Sequence, residues 1–376
     1  MTHILLNGWH AGMGAVGQGA YANRLLQGFA RHLDSSRYDA TVLMPATRTA
    51  RMPPLVIEPL AFKHRGHAVL DVMTWNRRLL SDRRLYQADT VFFSPGPLWG
   101  SRAPERMAIT YHDCIYRHFP VYLGRLGVRR WMARQAEQFL LRAGIVFTES
   151  EHARGDITGL TGLPPERIVV IPAWLPPGFT ALAARAHIPE VRTRYKLPER
   201  YWLYLGGYDI RKNVEFLIRA HARARRLAPC PPLILAGRIP TKRASTLCDV
   251  AGARREMGLD AAALIEPGFI AEEDLPALYA GAELFIFPSL MEGYGLPPLE
   301  AMGCGCPALV ADNSSLREVV RDTDYRFATR TLDPLVERLV HAARHGLPMN
   351  PAFDPDLHDE RTAIQRYLRH LDRLML

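Results

Sequence analysis

Long hydrophobic runs are missing from this sequence, and their absence excludes the helical kind of membrane protein. No run of about 18 or more apolar residues occurs among the 376 residues, so no transmembrane helix is predicted. The first residues lead into a predicted strand, His3–Leu6, without the basic and apolar segments of a secretory signal. We therefore expect a cytoplasmic protein.

Cysteine is also scarce. The five cysteines are odd in number and show neither the spacing of paired metal ligands nor that of a disulfide framework. The segment Cys304-Gly305-Cys306 is interpreted as packing rather than metal binding. Asp322-Thr323-Asp324 has the form of a metal-binding D-x-D motif, but it follows a predicted helix and is typical of an ordinary turn. The sequence therefore predicts no metal site.

Positive charge is unevenly distributed along the chain. The net charge is +9, and residues 1–175 hold 21 Lys and Arg against 13 Asp and Glu, whereas the remainder holds 26 against 25. A basic surface can attract nucleic acid, an anionic membrane or an anionic substrate. No signature of a nucleic-acid-binding fold accompanies the surplus, so we exclude nucleic acid as a partner. An arginine-rich proteome would produce the same surplus without functional meaning.

Predicted strands and helices alternate along the chain, which indicates an α/β fold with parallel sheets covered by helices on both faces. At 376 residues the chain is long for a single domain, so two domains are expected. A segment rich in proline and small residues is the expected linker between them. The predicted domains are residues 1–175 and 200–355, with the linker at 176–199 and a final helix within 356–376.

One stretch in the second half combines a strand, a glycine loop and a helix start. Glu283–Phe287 is typical of a short buried strand, and Pro297–Met302 of the first turns of a helix, where proline is tolerated. The positive end of such a helix favours an anion, such as phosphate, beyond the strand. Two glutamates frame this position, Glu292 on the loop and Glu300 one turn into the helix; an ordinary strand-to-helix turn is the alternative. The loop glycines, where backbone can approach a ligand closely, are Gly293 and Gly295.

A second anion site is indicated where another predicted strand, Tyr201–Gly206, ends in glycines. Arg211 and Lys212 follow it, just before a helix expected from Asn213. Two cations at a helix start conflict with the helix dipole unless an anion joins them. A diphosphate would resolve the conflict, because arginine offers forked contacts and lysine a point charge.

The first half offers two weaker candidates. The predicted strand Met107–Tyr111 ends at His112-Asp113, and ligands of open α/β sheets collect outside the carboxyl ends of strands. A pair of this kind is structural in many proteins. The glycine-rich segment Gly12–Tyr21 follows the first strand, but the acid that a dinucleotide fingerprint requires after the second strand is missing.

Together these segments resemble one enzyme family. The string Phe287–Gly303 resembles the E-x7-E motif of the family-four retaining glycosyltransferases, with Glu292 and Glu300 as the two glutamates. Arg211-Lys212-Asn213 and His112-Asp113 are similar to further motifs of that family. The resemblance implies the GT-B fold, in which two Rossmann-like domains face each other across a cleft and the last helix often returns to the first domain.

The resemblance also implies a role for each candidate residue. A nucleotide-diphosphate sugar would lie mostly on the second domain, with its leaving diphosphate stabilised by Arg211, Lys212 and N–H groups of the glycine loop. Glu300 would accept hydrogen bonds from the ribose hydroxyls, and Glu292 would hold hydroxyls of the donor sugar. His112 would contact the donor sugar near the reacting carbon. The remaining donor-binding residues implied by the resemblance are Gly17, Gly19, Gly207, Arg238, Gly293, Tyr294, Gly295 and Leu296.

The substrates expected from the resemblance are those of bacterial polysaccharide assembly. The Arg-Lys-Asn and His-Asp variants together resemble bacterial mannosyltransferases most. We therefore expect a retaining, metal-independent transferase that uses GDP-mannose, needs no cofactor and glycosylates a saccharide or lipid-diphosphate-linked saccharide acceptor. The open alternatives are a UDP-sugar-dependent glycosyltransferase, an epimerase or hydrolase of the same fold, and a catalytically inactive partner subunit.

The predicted helix Leu123–Leu141 interleaves arginines with apolar residues, including Trp131. Such a basic amphipathic helix can lie on an anionic membrane, with its arginines at lipid phosphates and Trp131 inserted. A solvated helix with a buried apolar stripe is the alternative. The first interpretation predicts a peripheral protein on the inner face of the cell membrane.

Overall fold

A computed structural model of the chain divides into two compact units, which are described separately. Unit 1 comprises Met1–Cys114, Leu123–Trp174 and Asp359–Leu376, and unit 2 comprises Ile115–Tyr122 and Leu175–His358. The residues that the structure describes are 1–11, 17–48, 52, 54–63, 65, 68–98, 100, 103–124, 127–240 and 244–375.

The secondary structure alternates between strands and helices through both units. The strands are β1 (Thr2–Asn7), β2 (Tyr38–Pro45), β3 (Val56–Leu60), β4 (Thr90–Ser94), β5 (Met107–Thr110), β6 (Ile145–Thr148), β7 (Ile168–Val170), β8 (Trp202–Leu205), β9 (Leu233–Ala236), β10 (Leu264–Gly268), β11 (Leu284–Phe287), β12 (Ala308–Ala311) and β13 (Arg326–Phe327). The helices are α1 (Gln18–His32), α2 (Ala68–Leu79), α3 (Ile115–His118), α4 (Val128–Leu140), α5 (Glu151–Thr161), α6 (Ala181–Arg185), α7 (Ile188–Tyr195), α8 (Val214–Arg225), α9 (Val250–Met257), α10 (Leu275–Ala280), α11 (Leu296–Gly303), α12 (Leu316–Val319), α13 (Asp333–His345) and α14 (Glu360–Asp372).

Unit 1 is built on a seven-stranded parallel sheet with the strand order β3-β2-β1-β4-β5-β6-β7. Strand β4 is buried along its whole length, as expected where helices cover both faces of a parallel sheet. Helices α1 and α14 pack against this sheet, and their Tyr21 and Tyr367 hydroxyls share a hydrogen bond of 2.8 Å. The last helix therefore belongs to the core of unit 1.

Unit 2 contains a six-stranded parallel sheet with the strand order β10-β9-β8-β11-β12-β13. From β8 the chain continues to β9 and β10 at one edge of the sheet, and from β11 it continues to β12 and β13 at the opposite edge. The neighbours β8 and β11 thus flank the topological switch point of the sheet, where open α/β sheets form their ligand crevice. Helices α8 and α11 both begin close to this point, after the carboxyl ends of those two strands.

The linker predicted at residues 176–199 is instead structured. It contains α6 and α7, which pack against α10 within unit 2. Pro189 stands in the first turn of α7, where the missing N–H has no intrahelical partner to lose. Proline here stands at the start of a helix of unit 2.

No helix among the described residues is long and apolar enough to cross a membrane.

Candidate active site

The candidate active site of unit 2 lies at the switch point, on the loops that follow β8 and β11. The first loop carries Arg211 and Lys212 into α8, and the second carries Glu292 and the glycines into α11. Both helices place the positive end of their dipole at this edge, but α11 offers few free N–H groups because Pro297 and Pro298 have none. Two helix N-termini and two cations therefore meet at one edge of the sheet.

Glu292 is the centre of this cluster. Its Oε1 lies 2.6 Å from Lys212 Nζ and its Oε2 lies 2.8 Å from Arg211 Nη1. The Ser289 hydroxyl also donates to Oε1 at 2.5 Å. Burial by itself would raise the pKa of Glu292, but the charges of Lys212 and Arg211 outweigh burial and hold the pKa below its ordinary value. Glu292 is therefore a buried, ionised carboxylate that binds both cations.

The two cationic side chains are fixed from further directions. Arg211 Nε lies 3.1 Å from Asp209 Oδ1, and Arg211 Nη1 donates to the carbonyl of Met291 at 3.0 Å. Tyr122 supports this arrangement, because its hydroxyl donates to Asp209 Oδ1 at 2.6 Å. Lys212 Nζ lies 4.8 Å from the centroid of the Phe287 ring, at cation–π distance. The cluster is preorganised rather than a set of mobile surface charges.

The glycine loop between β11 and α11 is held by the segment that follows β12. The Ser315 hydroxyl, which has one hydrogen to donate, lies 2.8 and 2.6 Å from the carbonyl oxygens of Glu292 and Tyr294. The Glu292 N–H donates to the Ser314 hydroxyl at 3.1 Å. Gly295 has φ +122°, and a Cβ added there would lie 2.9 Å from a side-chain carbon of Leu316. Only glycine suits this position, and the loop backbone has a defined conformation.

Glu300 lies in α11 and is 5% exposed. Its Oε2 accepts a hydrogen bond from the Tyr279 hydroxyl at 2.9 Å. Tyr294, which precedes the helix, is buried, and its hydroxyl lies 3.3 Å from His358 Nδ1. Leu296 is the first residue of α11. The two glutamates therefore have different surroundings, since Glu292 lies among cations and Glu300 beside a neutral hydroxyl.

Two further donor-binding residues expected from the resemblance lie in loops after neighbouring strands of the same sheet. Gly207 lies in the loop after β8, and Arg238 follows β9. The guanidinium carbon of Arg238 lies 5.2 Å from the ring centroid of Phe269, which follows β10 and is 54% exposed. This aromatic residue was not predicted as a site residue.

In unit 1, His112 follows β5 and its Nδ1 lies 2.7 Å from Glu149 Oε1. Burial by itself lowers the pKa of the imidazole, but the charge and hydrogen bond of Glu149 raise it above its ordinary value. Gly17 precedes α1 with φ +59°, and Gly19 is buried in the first turn of that helix. Residues 12–16 of the predicted glycine-rich segment lie outside the described residues.

The structure thus brings Arg211, Lys212 and Glu292 into direct contact within unit 2, and it places His112, Gly17 and Gly19 in unit 1. The direct contact between the two cations and Glu292 was not predicted. Residues that the sequence interpretation missed in these clusters are Tyr122, Glu149, Asp209, Ser289 and Ser315.

The D-x-D segment has structural contacts. Asp322 Oδ2 accepts from the Ala352 N–H at 3.1 Å, and Asp324 lies 3.4 Å from Arg338. It follows α12 and enters a single 3-10 turn. Among the described residues, no group of three or more His, Cys, Asp or Glu side chains is arranged to hold a metal ion.

Two protein-family models and a relative of known family match this chain. The model of Glycosyltransferase Family 4 matches residues 22–175, and that of Glycosyl transferases group 1 matches residues 190–340. O-antigen chain mannosyltransferase B of Escherichia coli is 32% identical over 274 residues, covering 70% of this chain and 68% of that protein. The chain belongs to the group 1 glycosyltransferases.

Other relatives of this glycosyltransferase match over shorter parts of their length. Serotype-specific mannosyltransferase WbdA of Escherichia coli is 34% identical over 227 residues. The match covers 60% of this chain and 27% of WbdA, so the chain spans about a quarter of the WbdA relatives that it matches.

Solved structures confirm the predicted fold of the glycosyltransferase. Sucrose-phosphate synthase from Thermosynechococcus elongatus superposes with a TM-score of 0.70 at 18% identity, covering 100% of this chain and 95% of the other. HepE of Anabaena superposes with a TM-score of 0.68 at 16% identity, covering 99% and 100%. The predicted α/β fold, GT-B with two Rossmann-like domains, is confirmed.

Proposed function

We propose that the protein is a retaining mannosyltransferase that transfers mannose from GDP-mannose to a saccharide or lipid-linked saccharide in bacterial polysaccharide synthesis. The observation that carries the proposal is the buried contact of Arg211 and Lys212 with Glu292 at the switch point of unit 2. The names of the E. coli relatives, which are mannosyltransferases, support the choice of sugar.

The two preorganised cations, rather than the net charge of the cluster, support diphosphate as the leaving group. Arg211 and Lys212 are offset in the described cluster by Asp209 and Glu292. A donor diphosphate adds negative charge beside two cations and two helix N-termini, all of which are already in place. As the sugar departs, charge grows on the diphosphate, and preorganised cations stabilise that charge without reorganising. No metal ion is needed for this step in the proposal.

Each glutamate has a separate role in the proposal. Glu292 shares the two cations with the diphosphate and holds hydroxyls of the donor sugar, so its carboxylate lies near the carbon that becomes positively charged. Glu300 accepts hydrogen bonds from the ribose hydroxyls, far from the reacting bond. His112 contacts the donor sugar from unit 1.

The acceptor is proposed to be anionic and linked to a membrane lipid. Helix α4 buries Phe139 and Leu140, whereas Val128 and Trp131 are 49% and 46% exposed at the end of the helix that carries Arg129 and Arg130. An exposed tryptophan among arginines suits the interface of an anionic bilayer. The protein would then be peripheral on the membrane. Arg125, predicted as part of the same basic stretch, lies outside the described residues.

A melting panel of nucleotide sugars, measured in the presence of EDTA, tests the donor. A ligand at 100 times its dissociation constant stabilises the folded state by about 2.7 kcal/mol, so GDP-mannose should raise the melting temperature clearly. UDP-glucose and UDP-N-acetylglucosamine should raise it far less. Equal stabilisation by the UDP sugars would contradict the choice of donor.

A transfer assay tests the reaction. With GDP-mannose and octyl α-mannoside, the product should carry an α-linked mannose, which the one-bond carbon–proton coupling at its anomeric carbon identifies in the NMR spectrum. GDP-mannose incubated alone should remain nearly unchanged, since a transferase needs an acceptor. Rapid hydrolysis or epimerisation without acceptor, or a β-linked product, would contradict the proposal.

A further inference from the structure

His112 has a buried carboxylate partner from the neighbouring strand. Glu149 follows β6, the strand paired with β5, so the two residues leave adjacent carboxyl ends of the sheet. Glu149 Oε1 lies 2.7 Å from His112 Nδ1, and Glu149 is 4% exposed. A hydrogen bond to a carboxylate requires that Nδ1 carry a proton and donate it. The contact therefore fixes both the rotation of the ring and the nitrogen that faces the carboxylate.

The remaining surroundings hold the ring on its other sides. The Tyr21 ring from α1 meets the imidazole edge to face, with centroids 4.6 Å apart. The Tyr21 hydroxyl is fixed in turn by Thr110 at 3.0 Å and by Tyr367 of α14 at 2.8 Å. The other imidazole nitrogen, Nε2, is buried and makes no hydrogen bond of good geometry to the described residues.

We propose that Glu149 is a positioning residue for glycosyl transfer, which accepts a hydrogen bond from the Nδ1–H of His112 and thereby leaves Nε2 as the nitrogen presented to the donor sugar. The inference rests on the proposed function, in which His112 contacts that sugar. A hydrogen bond at one ring nitrogen determines the chemistry available at the other. With Nδ1 occupied, an imidazolium ring has a single remaining N–H, at Nε2, with which to bind a sugar oxygen.

The charges that face His112 support a protonated ring. Burial opposes protonation, but the charge and hydrogen bond of Glu149, the charge of Asp113 and a hydrogen bond to the Pro95 carbonyl together hold the pKa of His112 above its ordinary value. His10 also interacts electrostatically with His112, and its own pKa is lowered to about 4 by burial and by the charges of His112 and Arg48. His10 is thus neutral at physiological pH and does not cancel the effect of Glu149.

A purely structural role for Glu149 is the alternative, and unit 1 contains a matched example. Glu360 is also buried, and its Oε1 lies 2.9 Å from His32 Nε2 while Arg31 binds it at 2.7 Å. That histidine–glutamate pair joins α1 to α14. Glu360→Gln is therefore a control that breaks a similar buried contact without touching His112.

The first experiment needs no substrate. In Glu149→Gln the ring keeps its burial but loses the negative partner, so nitrogen-15 NMR should show the titration midpoint of His112 falling by about one pH unit or more. Glu149→Asp retains the charge and should lower the midpoint less. In Glu360→Gln the titration of His112 should be unchanged. An unchanged titration of His112 in a folded Glu149→Gln protein would overturn the inference.

The second experiment measures transfer from GDP-mannose to octyl α-mannoside across pH. In Glu149→Gln the alkaline limb of the kcat profile should move to lower pH. At a pH above the alkaline limbs of both proteins, kcat of the variant should be about tenfold below wild type for every pH unit by which the limb has moved. Glu360→Gln should lower the melting temperature without moving this limb. Because Glu149 is proposed to act through His112, adding Glu149→Gln to His112→Ala should have little further effect.

The outcomes separate this inference from the function on which it rests. If His112→Ala is slow but Glu149→Gln has the wild-type pH profile, only the positioning role is wrong. If His112→Ala turns over normally, the contact of His112 with the donor sugar is wrong, and the role of Glu149 fails with it. Equal losses from Glu149→Gln in the wild-type and His112→Ala backgrounds would also overturn the inference.

Discussion

Replacing Glu292 by glutamine should damage stability and turnover together. The amide oxygen can still accept from Lys212 and Ser289, but the amide nitrogen replaces the oxygen that binds Arg211 at 2.8 Å. Both cations lose their shared negative charge while Lys212 stays 8% exposed. Breaking a buried ion pair costs about 3–5 kcal/mol, and the lower end applies because one acceptor remains. For a domain of about 150–250 residues, that loss corresponds to a fall of roughly 6–12 °C in the melting temperature.

The kinetic effect of Glu292→Gln should fall mainly on kcat. In its proposed role the carboxylate lies where positive charge develops on the sugar, and loss of one preorganised electrostatic group lowers kcat by roughly a hundredfold or more. Steady-state kinetics with donor varied at saturating acceptor measures this, below the melting transition of the variant. A variant with wild-type melting temperature and wild-type kcat would refute the description of the cluster.

Glu300→Gln provides the matched comparison on the same helix. Glu300 touches the neutral Tyr279 hydroxyl and is proposed to bind ribose, so its loss removes binding shared by ground and transition states. The donor KM should rise with little change in kcat. A kcat loss confined to Glu300→Gln would reverse the two roles.

Three further predictions concern phosphate, membrane and acid stability. Lys212→Ala should raise the donor KM and lower kcat. As a control, Arg219→Ala removes a partly exposed ion pair on the nearby α8 and should leave kinetics unchanged. Normal kinetics in a folded Lys212→Ala protein would show that the lysine does not bind the diphosphate. Binding to anionic vesicles should weaken steeply with salt, because exposed charges are screened within about 8 Å at physiological ionic strength. Trp131→Ala should weaken this binding further. Equal binding to neutral vesicles, or no binding to either kind, would contradict the membrane role. Burial lowers the pKa of His221 to about 4. Below about pH 6.5 the unfolded state therefore binds a proton that the folded state does not bind. The free energy of unfolding should fall by about 3 kcal/mol as the pH drops from about 6.5 to 4. Urea unfolding across that range should show a shallower loss in His221→Gln; an unchanged slope would assign the acid sensitivity elsewhere.

The strands of both sheets could be predicted largely from sequence, because parallel strands are short apolar segments between helices. The strands β3 and β13 were missed for physical reasons. Strand β3 contains Pro59 and lies at the sheet edge, where a missing N–H is tolerated. Strand β13 is also at an edge and has only two residues, Arg326 and Phe327. Edge strands carry weaker hydrophobic patterns than central ones.

The site could be predicted as a set of residues but not as a set of contacts. The cations Arg211 and Lys212 conflict locally with a helix start, which made them visible in the sequence. Their contact with Glu292, some 80 residues later, depends on β8 lying beside β11. Strand order is decided by the packing of the whole sheet, and no local pattern records it. The same limit applies to Glu149, whose partner His112 lies on the neighbouring strand.

The position of α14 has a consequence for how the chain folds as it is made. The core of unit 1 includes Ile364, Tyr367, Leu368 and Leu371 from that helix, packed around residues from the first strands. Every residue of unit 2 is synthesised before them. Domains of a nascent chain commonly fold in order of synthesis. Here unit 1 lacks part of its core until the ribosome has synthesised all of unit 2 and then α14. Unit 2, with its cluster of Arg211, Lys212 and Glu292, can therefore fold before the last helix of unit 1 has been synthesised.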